Sequence, residues 1–455
     1  MITKDHSPAT DSIEVDLVVV GAGIAGMSAA ARAASSGASV VVIEKSAEVG
    51  GSAVLSGGGL WTVSCAAEFL EIDPRAERHL VELLVAGFDH ACEWVESLGV
   101  SIGAPIALDA IQGYPSVARV IDNLSYIRRC RAIIQSCGGV IIAPATATKL
   151  LVEQRRVCGA VVSDRDGITS VHSTWTLLAT GGFQGAEELR RRHIGEHARD
   201  LLVRSNPGST GDGLRLAMSA GAAVNTTESF YGHLVPAPLP HGLSPADYLR
   251  LAQLYSTRAV LLDRAGHRVC DESFAYYANA VATSRLPDHR ALLVADQGVR
   301  DYDRTAYGPT EQVDRPTEAA RAGAHVAEAP TLTELETQVA AWGFTGVSAG
   351  VEAYNDQLAS SPPGPEYPSR QRNRTPLNTP PFFAIEVQPA ITTTFSGVRI
   401  DAAAHVLDES GQPIGGLLAA GADVGIYHSA YAGGLSVGLI LGLQAATTAL
   451  SDIPQ

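Results

Sequence analysis

The sequence predicts an α/β protein: a parallel sheet wrapped by helices, discontinuous in the chain, with an α+β capping domain inserted into it. Three observations predict this. A β-branched run, Val18-Val19-Val20, meets Gly21-Ala22-Gly23-Ile24-Ala25-Gly26 near the start, and a second glycine cluster follows at Gly50-Gly51 and Gly57-Gly58-Gly59. A third lies near the far end, where Gly421-Ala422-Asp423 leads into Tyr431-Ala432-Gly433-Gly434-Leu435-Ser436-Val437-Gly438. Between the outer clusters, from about Phe230, the composition shifts toward proline and loop residues.

The first cluster carries a definite chemistry. Val18 to Val20 suit a buried parallel strand. Gly21 permits the tight turn, Gly23 lets backbone approach a pyrophosphate, and Gly26 lets the next helix lie close to the strand. With Ala25 inside its first turn, the helix from Ile24 to about Ser36 aims its free N–H groups at the phosphates. Val40 to Ile43 forms the second strand, and Glu44 at its end suits an unphosphorylated adenosine ribose, since a 2′-phosphate would be repelled. Strand, glycines, helix, strand and acid in register make a Rossmann-like dinucleotide grip.

The segment after the acid separates flavin from nicotinamide. Glu44-Lys45 runs into Gly50-Gly51-Ser52 and Ser56-Gly57-Gly58-Gly59, where side chains would clash with a chain passing along the pyrophosphate, ribityl and ring edge. The cofactor this implies is FAD, with Gly421, Asp423, Ser436 and Val437 of the C-terminal cluster expected to wall its flavin end, and no histidine in Gly50 to Gly59 offers a covalent link. No second dinucleotide fingerprint appears, so a built-in NAD(P)H site is not expected.

Residues 61–135 read as mostly helical, with amphipathic spacing over Arg78–Leu98 and Val120–Gln135. Val140–Ile142, Ala147–Val152, Val157–Val162 and Thr169–Thr176 read as a strand meander, with Ala147 a further cofactor contact. Thr180-Gly181-Gly182 ends a strand where backbone again meets the cofactor. Thr210-Gly211-Asp212-Gly213 opens a helix, with Asp212 either its N-cap or a flavin-side partner. The expected division is residues 1–228 and 376–455 for the FAD-binding domain and 229–375 for the cap. Strand-like sequence resumes at Phe382–Val387. Thr331-Leu332-Thr333-Glu334 has capping-box spacing.

At 455 residues the chain is long enough for two or three domains. Its net charge of −15 argues against nucleic acid, which needs a basic face. The cysteines, scattered without a C-x-x-C pair, suggest neither a metal site nor a disulfide framework, and a reducing cytoplasm is the expected setting. Met1 to Asp11 is polar and acidic, unlike a signal peptide. Ala430 to Ser451 lacks charge but is rich in Gly, Ala, Ser and Thr; with Leu435, Leu439, Ile440 and Leu443 on one face it reads as a buried helix rather than a membrane span.

Together these segments resemble the flavoprotein family of fumarate reductases and 3-ketosteroid dehydrogenases, over nearly the whole chain. The fumarate branch carries a histidine in an I-T-H-T-M-G-G stretch and arginines that clamp a dicarboxylate. Here the stretch is Ile391-Thr392-Thr393-Thr394-Phe395-Ser396-Gly397, the segment for the proton-donating arginine is Asp271-Glu272-Ser273-Phe274-Ala275-Tyr276, and Tyr431 or a neighbour replaces the clamp arginine. A buried dicarboxylate needs cations, so the resemblance implies the ketosteroid branch. That branch has a tyrosine ending an N-E-S-x-P-Y segment, and another just before a glycine at the flavin helix. Tyr276 (or adjacent Tyr277) and Tyr431 with Gly434 match these positions. The three-residue spacing of Tyr431 and Gly434 is similar to Δ4-type enzymes, whereas the Δ1 type spaces them by four. Tyr114, before Pro115, is a candidate third tyrosine.

The implied reaction desaturates a cyclic ketone, a 3-oxosteroid or a smaller oxocyclohexane. Tyr431 Oη and the Gly434 N–H would polarise the ketone oxygen, Tyr276 would take the α proton, and the β hydrogen would leave as hydride to the flavin. An external electron acceptor would reoxidise the cofactor. The alternatives are a fumarate- or enone-type reductase and an electron-relay subunit.

Overall fold

The computed structural model describes residues 12–108, 113–306, 313–359 and 368–452. The polar stretch Met1 to Asp11 and part of the proline-rich run 361–381 lie outside them. Strand β1 (Ser12–Val20), helix α1 (Ile24–Ser35) and strand β2 (Val40–Ile43) form as their residue patterns predict. β1 lies between β2 and the strand Gly167–Leu178, parallel to both, with Val20 opposite Ile43 and Leu178. Val140–Ile142 extends the parallel core beyond β2, and Pro413–Ala419 extends it on the other side. Leu17, Val18 and Val19 are fully buried, as strands of a two-sided parallel sheet require.

The last helix, Gly434–Ser451, covers this sheet beside α1. Its glycines permit the approach: a Cβ on Gly442 would lie 2.4 Å from the Ala25 carbonyl oxygen, and one on Gly438 2.6 Å from Ile24 Cγ2. The helix is long and apolar enough to cross a membrane, but 61% of its length is buried against α1, the helix Arg78–Ser97 and the strand Gly59–Val63.

The expected meander forms from Thr146–Glu153, Arg156–Asp164 and Gly167–Leu178, antiparallel in succession. Val140–Ile142 is not part of it, pairing instead with β2. The stretch expected to be mostly helical also contains a three-stranded sheet of Gly59–Val63, Ile106–Ala107 and Ser116–Val120. The helix after it starts only at Asn123, because the Asp122 carboxylate accepts the Ser125 N–H and fixes the end there.

A second, six-stranded sheet belongs to the cap. Its axis is Phe382–Thr394, flanked over its first half by Ala291–Asp296 and Val326–Ala329, and over its second by Phe230–Pro236 and Leu202–Val203. Sheet pairing therefore carries this unit past both expected limits, residues 229 and 375. Phe382–Thr394 is buried almost throughout even at Glu386 and Gln388, and its sequence does not mark the crossing. The helix Leu332–Val339 begins as expected, with Thr331 accepting the Glu334 N–H.

Candidate flavin and substrate site

A cavity of about 530 Å³ opens at the carboxyl ends of the parallel strands, where such sheets bind ligands. Gly21 and Gly23 reach it from β1, Glu44 and Lys45 from β2, Thr180, Gly181 and Gly182 from Gly167–Leu178, and Gly421 from Pro413–Ala419. Ala25, Gly51, Ser52 and Gly57 complete this end. A Cβ on Gly21 would lie 2.3 Å from the Ala179 carbonyl oxygen and one on Gly26 1.9 Å from that of Gly21, whereas one on Gly23 would meet nothing within 4 Å. The turn is thus closed on its protein side and open on its cavity side, as a pyrophosphate requires. Glu44 accepts the Ala22 N–H on one oxygen and the Ser46 N–H on the other, both at 2.8 Å. Each oxygen keeps capacity for a ribose hydroxyl. Ser436, in the first turn of the last helix, has a buried hydroxyl with no hydrogen-bond partner among the described residues. These features fit FAD.

The other expected contacts sit behind the wall. Gly26 and Gly58 pack against backbone. Asp212 is not an N-cap: Gly211 holds that position at φ +79, and the Asp212 carboxylate binds Lys45 Nζ at 2.6 Å. Asp423 accepts the Thr180 N–H and hydroxyl and so braces the strand end. Burial raises its carboxyl to about 7 despite those bonds. Val437 is core, and Ala147 lies in the meander away from the cavity wall.

At the other end of the cavity the walls are aromatic. Tyr431 and Tyr231 stack with ring centroids 3.8 Å apart, and His233, Thr392 and Thr393 stand beside them. Tyr431 Oη accepts the Gly434 N–H at 2.6 Å, so the two groups expected to share a ketone oxygen converge, joined to each other. The phenol keeps its own proton to donate. Tyr276, first residue of the helix Tyr276–Ser284, lies behind Tyr231, their hydroxyls 2.7 Å apart. Tyr277 turns the other way, to Tyr114 at 3.2 Å.

Tyr114 is not a pocket residue. It donates to the Tyr431 carbonyl at 2.5 Å and accepts the Tyr431 N–H at 3.4 Å, holding that residue from behind. Its position before Pro115 could not reveal this, because the contact spans the length of the chain. Desolvation raises the phenols of Tyr114, Tyr231, Tyr277 and Tyr431 above their ordinary value, and the buried His233 imidazole is pushed well below its own. The cluster is neutral at ordinary pH.

A family model described as FAD binding domain matches residues 16–110 and 129–436. The chain belongs to this family. Proteins of related sequence include an NADH:fumarate oxidoreductase of Klebsiella pneumoniae, 24% identical over 91% of this chain and 45% of that protein. The chain thus spans about half of that relative. A 4-oxocyclohexanecarboxylate 2-dehydrogenase of Sinomonas cyclohexanicum is 26% identical over 92% of this chain and 88% of its own length. Among solved structures, a 3-ketosteroid-Δ4-(5α)-dehydrogenase of Rhodococcus jostii matches the fold over 98% of both chains, with TM-score 0.74 and 19% identity. The family and its FAD cofactor agree with the cleft geometry; fumarate-type and ketone-type oxidoreductases both occur among these matches.

Tyr231, His233 and Arg204 are among the residues of the cavity wall that escaped the sequence reading. Tyr231 and His233 alternate along Phe230–Pro236, a signal that was available, and a bulge at Tyr231/Gly232 re-aims the strand there. Arg204 had no motif to mark it.

Proposed function

We propose that this protein is an FAD-dependent dehydrogenase that introduces a C=C bond next to the carbonyl of a cyclic ketone. The observation that carries the proposal is the pair of phenols, Tyr431 and Tyr231, on the cavity wall at the site where a dicarboxylate enzyme would need several cations. The Sinomonas relative, named for a cyclic keto acid, supports it.

The bound flavin supplies the acceptor for the β hydrogen. The protein's part is to make the α proton removable. Tyr431 donates its hydroxyl proton to the ketone oxygen, and the Gly434 N–H on that hydroxyl polarises it further. Tyr431 stays protonated because burial disfavours its phenolate. The α proton goes to the hydroxyl pair of Tyr231 and Tyr276, where Tyr231 faces the cavity and Tyr276 carries the proton onward. Burial and the neighbouring Tyr276 and Tyr431 hold the Tyr231 phenol protonated against a smaller pull from the Arg204 guanidinium, so Tyr231 takes the α proton only as it passes its own to Tyr276. Trp61, edge-on to Tyr431 at 5.5 Å, and Phe395, stacked on it at 5.9 Å, hold the donor ring in place.

A reductase running in the opposite direction uses the same residues with the proton moving back to the α carbon, and the Klebsiella relative supports that direction. Anaerobic mixing of the oxidised holoprotein with cyclic ketones separates the two. Bleaching of the flavin absorbance by a saturated ketone is the expected result. Bleaching only by a reductant, reversed by an enone or fumarate, overturns desaturation in favour of the reductase.

A further inference from the structure

Arg204 is a buried cation that nothing in the proposed chemistry requires as a substrate contact. It is 7% exposed and lines the cavity beside Tyr231, His233, Thr392 and Tyr248. Its Nε and Nη2 donate to the Tyr248 carbonyl at 3.1 and 2.6 Å, and Nη1 donates to Thr392 Oγ1 at 3.2 Å. A guanidinium has five N–H groups, so two remain without a protein acceptor among the described residues. No aspartate or glutamate among those residues pairs with it; the ionisable groups that face it are the phenols of Tyr231, Tyr276 and Tyr248. His233, close by, is neutral. The other cation on the cavity wall, Lys45, is bound to Asp212 at the opposite end.

An uncompensated guanidinium out of water is costly, and a fold that keeps one gains most from an anion brought by a ligand. From the cavity-facing position of Arg204, its two spare N–H groups and the absence of a paired acid, we infer that this end of the cavity holds a single carboxylate carried by the ring ketone. The inference rests on the cyclic-ketone reading and narrows it: the substrate is a monocarboxylate keto acid rather than a neutral steroid. A second carboxylate would find only neutral phenols, hydroxyls and an imidazole, so a dicarboxylate such as fumarate fits poorly.

The test uses the FAD-loaded protein and compares 4-oxocyclohexanecarboxylate with its methyl ester. In parallel, it compares unreactive cyclohexanecarboxylate with cyclohexanecarboxamide, titrated by their perturbation of the flavin spectrum and by thermal melting. The acid should bind tighter than its neutral partner in both pairs by roughly tenfold to a hundredfold, the range for a charged hydrogen bond. Arg204→Met should bring both ratios to about one, and Arg204→Lys should keep much of the preference while controlling for folding. Equal binding of acid and neutral partner by the unaltered protein overturns the inference. So does an Arg204→Met variant that weakens both partners alike, which would assign Arg204 to Tyr231 instead. If neither ketone bleaches the flavin, the ketone reading fails, and the unreactive pair still decides whether Arg204 holds a carboxylate.

Discussion

Tyr431 shows how much chemistry one side chain gathers from distant parts of the chain. Its hydroxyl takes the Gly434 N–H, its backbone is held by Tyr114, and its ring stacks on Tyr231. Tyr431→Phe removes the donor and should lower turnover by roughly 10²–10³-fold, the loss typical of one oxyanion-stabilising group, while flavin binding persists. A change confined to thermal stability would make it a packing residue. Tyr276→Phe should lower turnover by roughly 10²–10⁴-fold with the fold retained. Full activity in that variant removes the phenol relay. Tyr431 and the glycines that line the cavity were legible as candidates in the sequence because each lies in a short motif; Tyr276 was a candidate too, but it lies behind Tyr231 rather than on the cavity wall. Arg204 was not legible, because no motif marks it, and Tyr231 and His233 left only an alternation whose meaning depends on strands paired across the chain, as in Tyr231 opposite Thr393.

At the scale of elements, the loop into the last helix is held by one buried acid. Asp73 accepts the N–H groups of His428, Ser429 and Ala430 and the Ser429 hydroxyl, immediately ahead of Tyr431. Asp73→Ala leaves several buried donors unmet and should cost about 2–4 kcal/mol by denaturant unfolding, with a loss of turnover as Tyr431 shifts. On the cap side, Glu272 is fully buried between Arg268 and Arg370 and anchors the segment that presents Tyr276. The segment was legible as a motif, but its acid is a structural anchor, which only the arginines around it reveal. Asp423 adds a pH dependence. Its carboxyl, at about 7 in the fold against an ordinary 3.8, favours the folded state when protonated. That contribution is full at low pH and is lost as pH rises through about 7. The melting temperature of the flavin-free protein should therefore fall between pH 5 and 8, and Asp423→Asn should flatten that slope. An unchanged slope in the variant would assign the effect to other groups.

Across the whole molecule, the site exists only where two sheets meet. The parallel sheet supplies the cofactor cleft, and the cap sheet, built on Phe382–Thr394, supplies Tyr231, His233, Thr392 and Thr393. The α/β class and the inserted cap were legible because a β-α-β pattern and a shift in composition stand out along the chain. The limits of the cap were not, because its central strand pairs with segments beyond both expected boundaries, a relation that no local stretch of sequence carries. In the proposed reaction the phenols at the aromatic end of the cavity make the α proton of a cyclic ketone removable. The most direct test of this claim is anaerobic stopped-flow bleaching of the flavin by a ring ketone carrying deuterium only at the α carbons. A slower bleach than with the protiated ketone, and little bleaching at all in Tyr431→Phe, is the predicted result. Bleaching at the same rate in the unaltered protein and in Tyr431→Phe, with no slowing by deuterium, would contradict it.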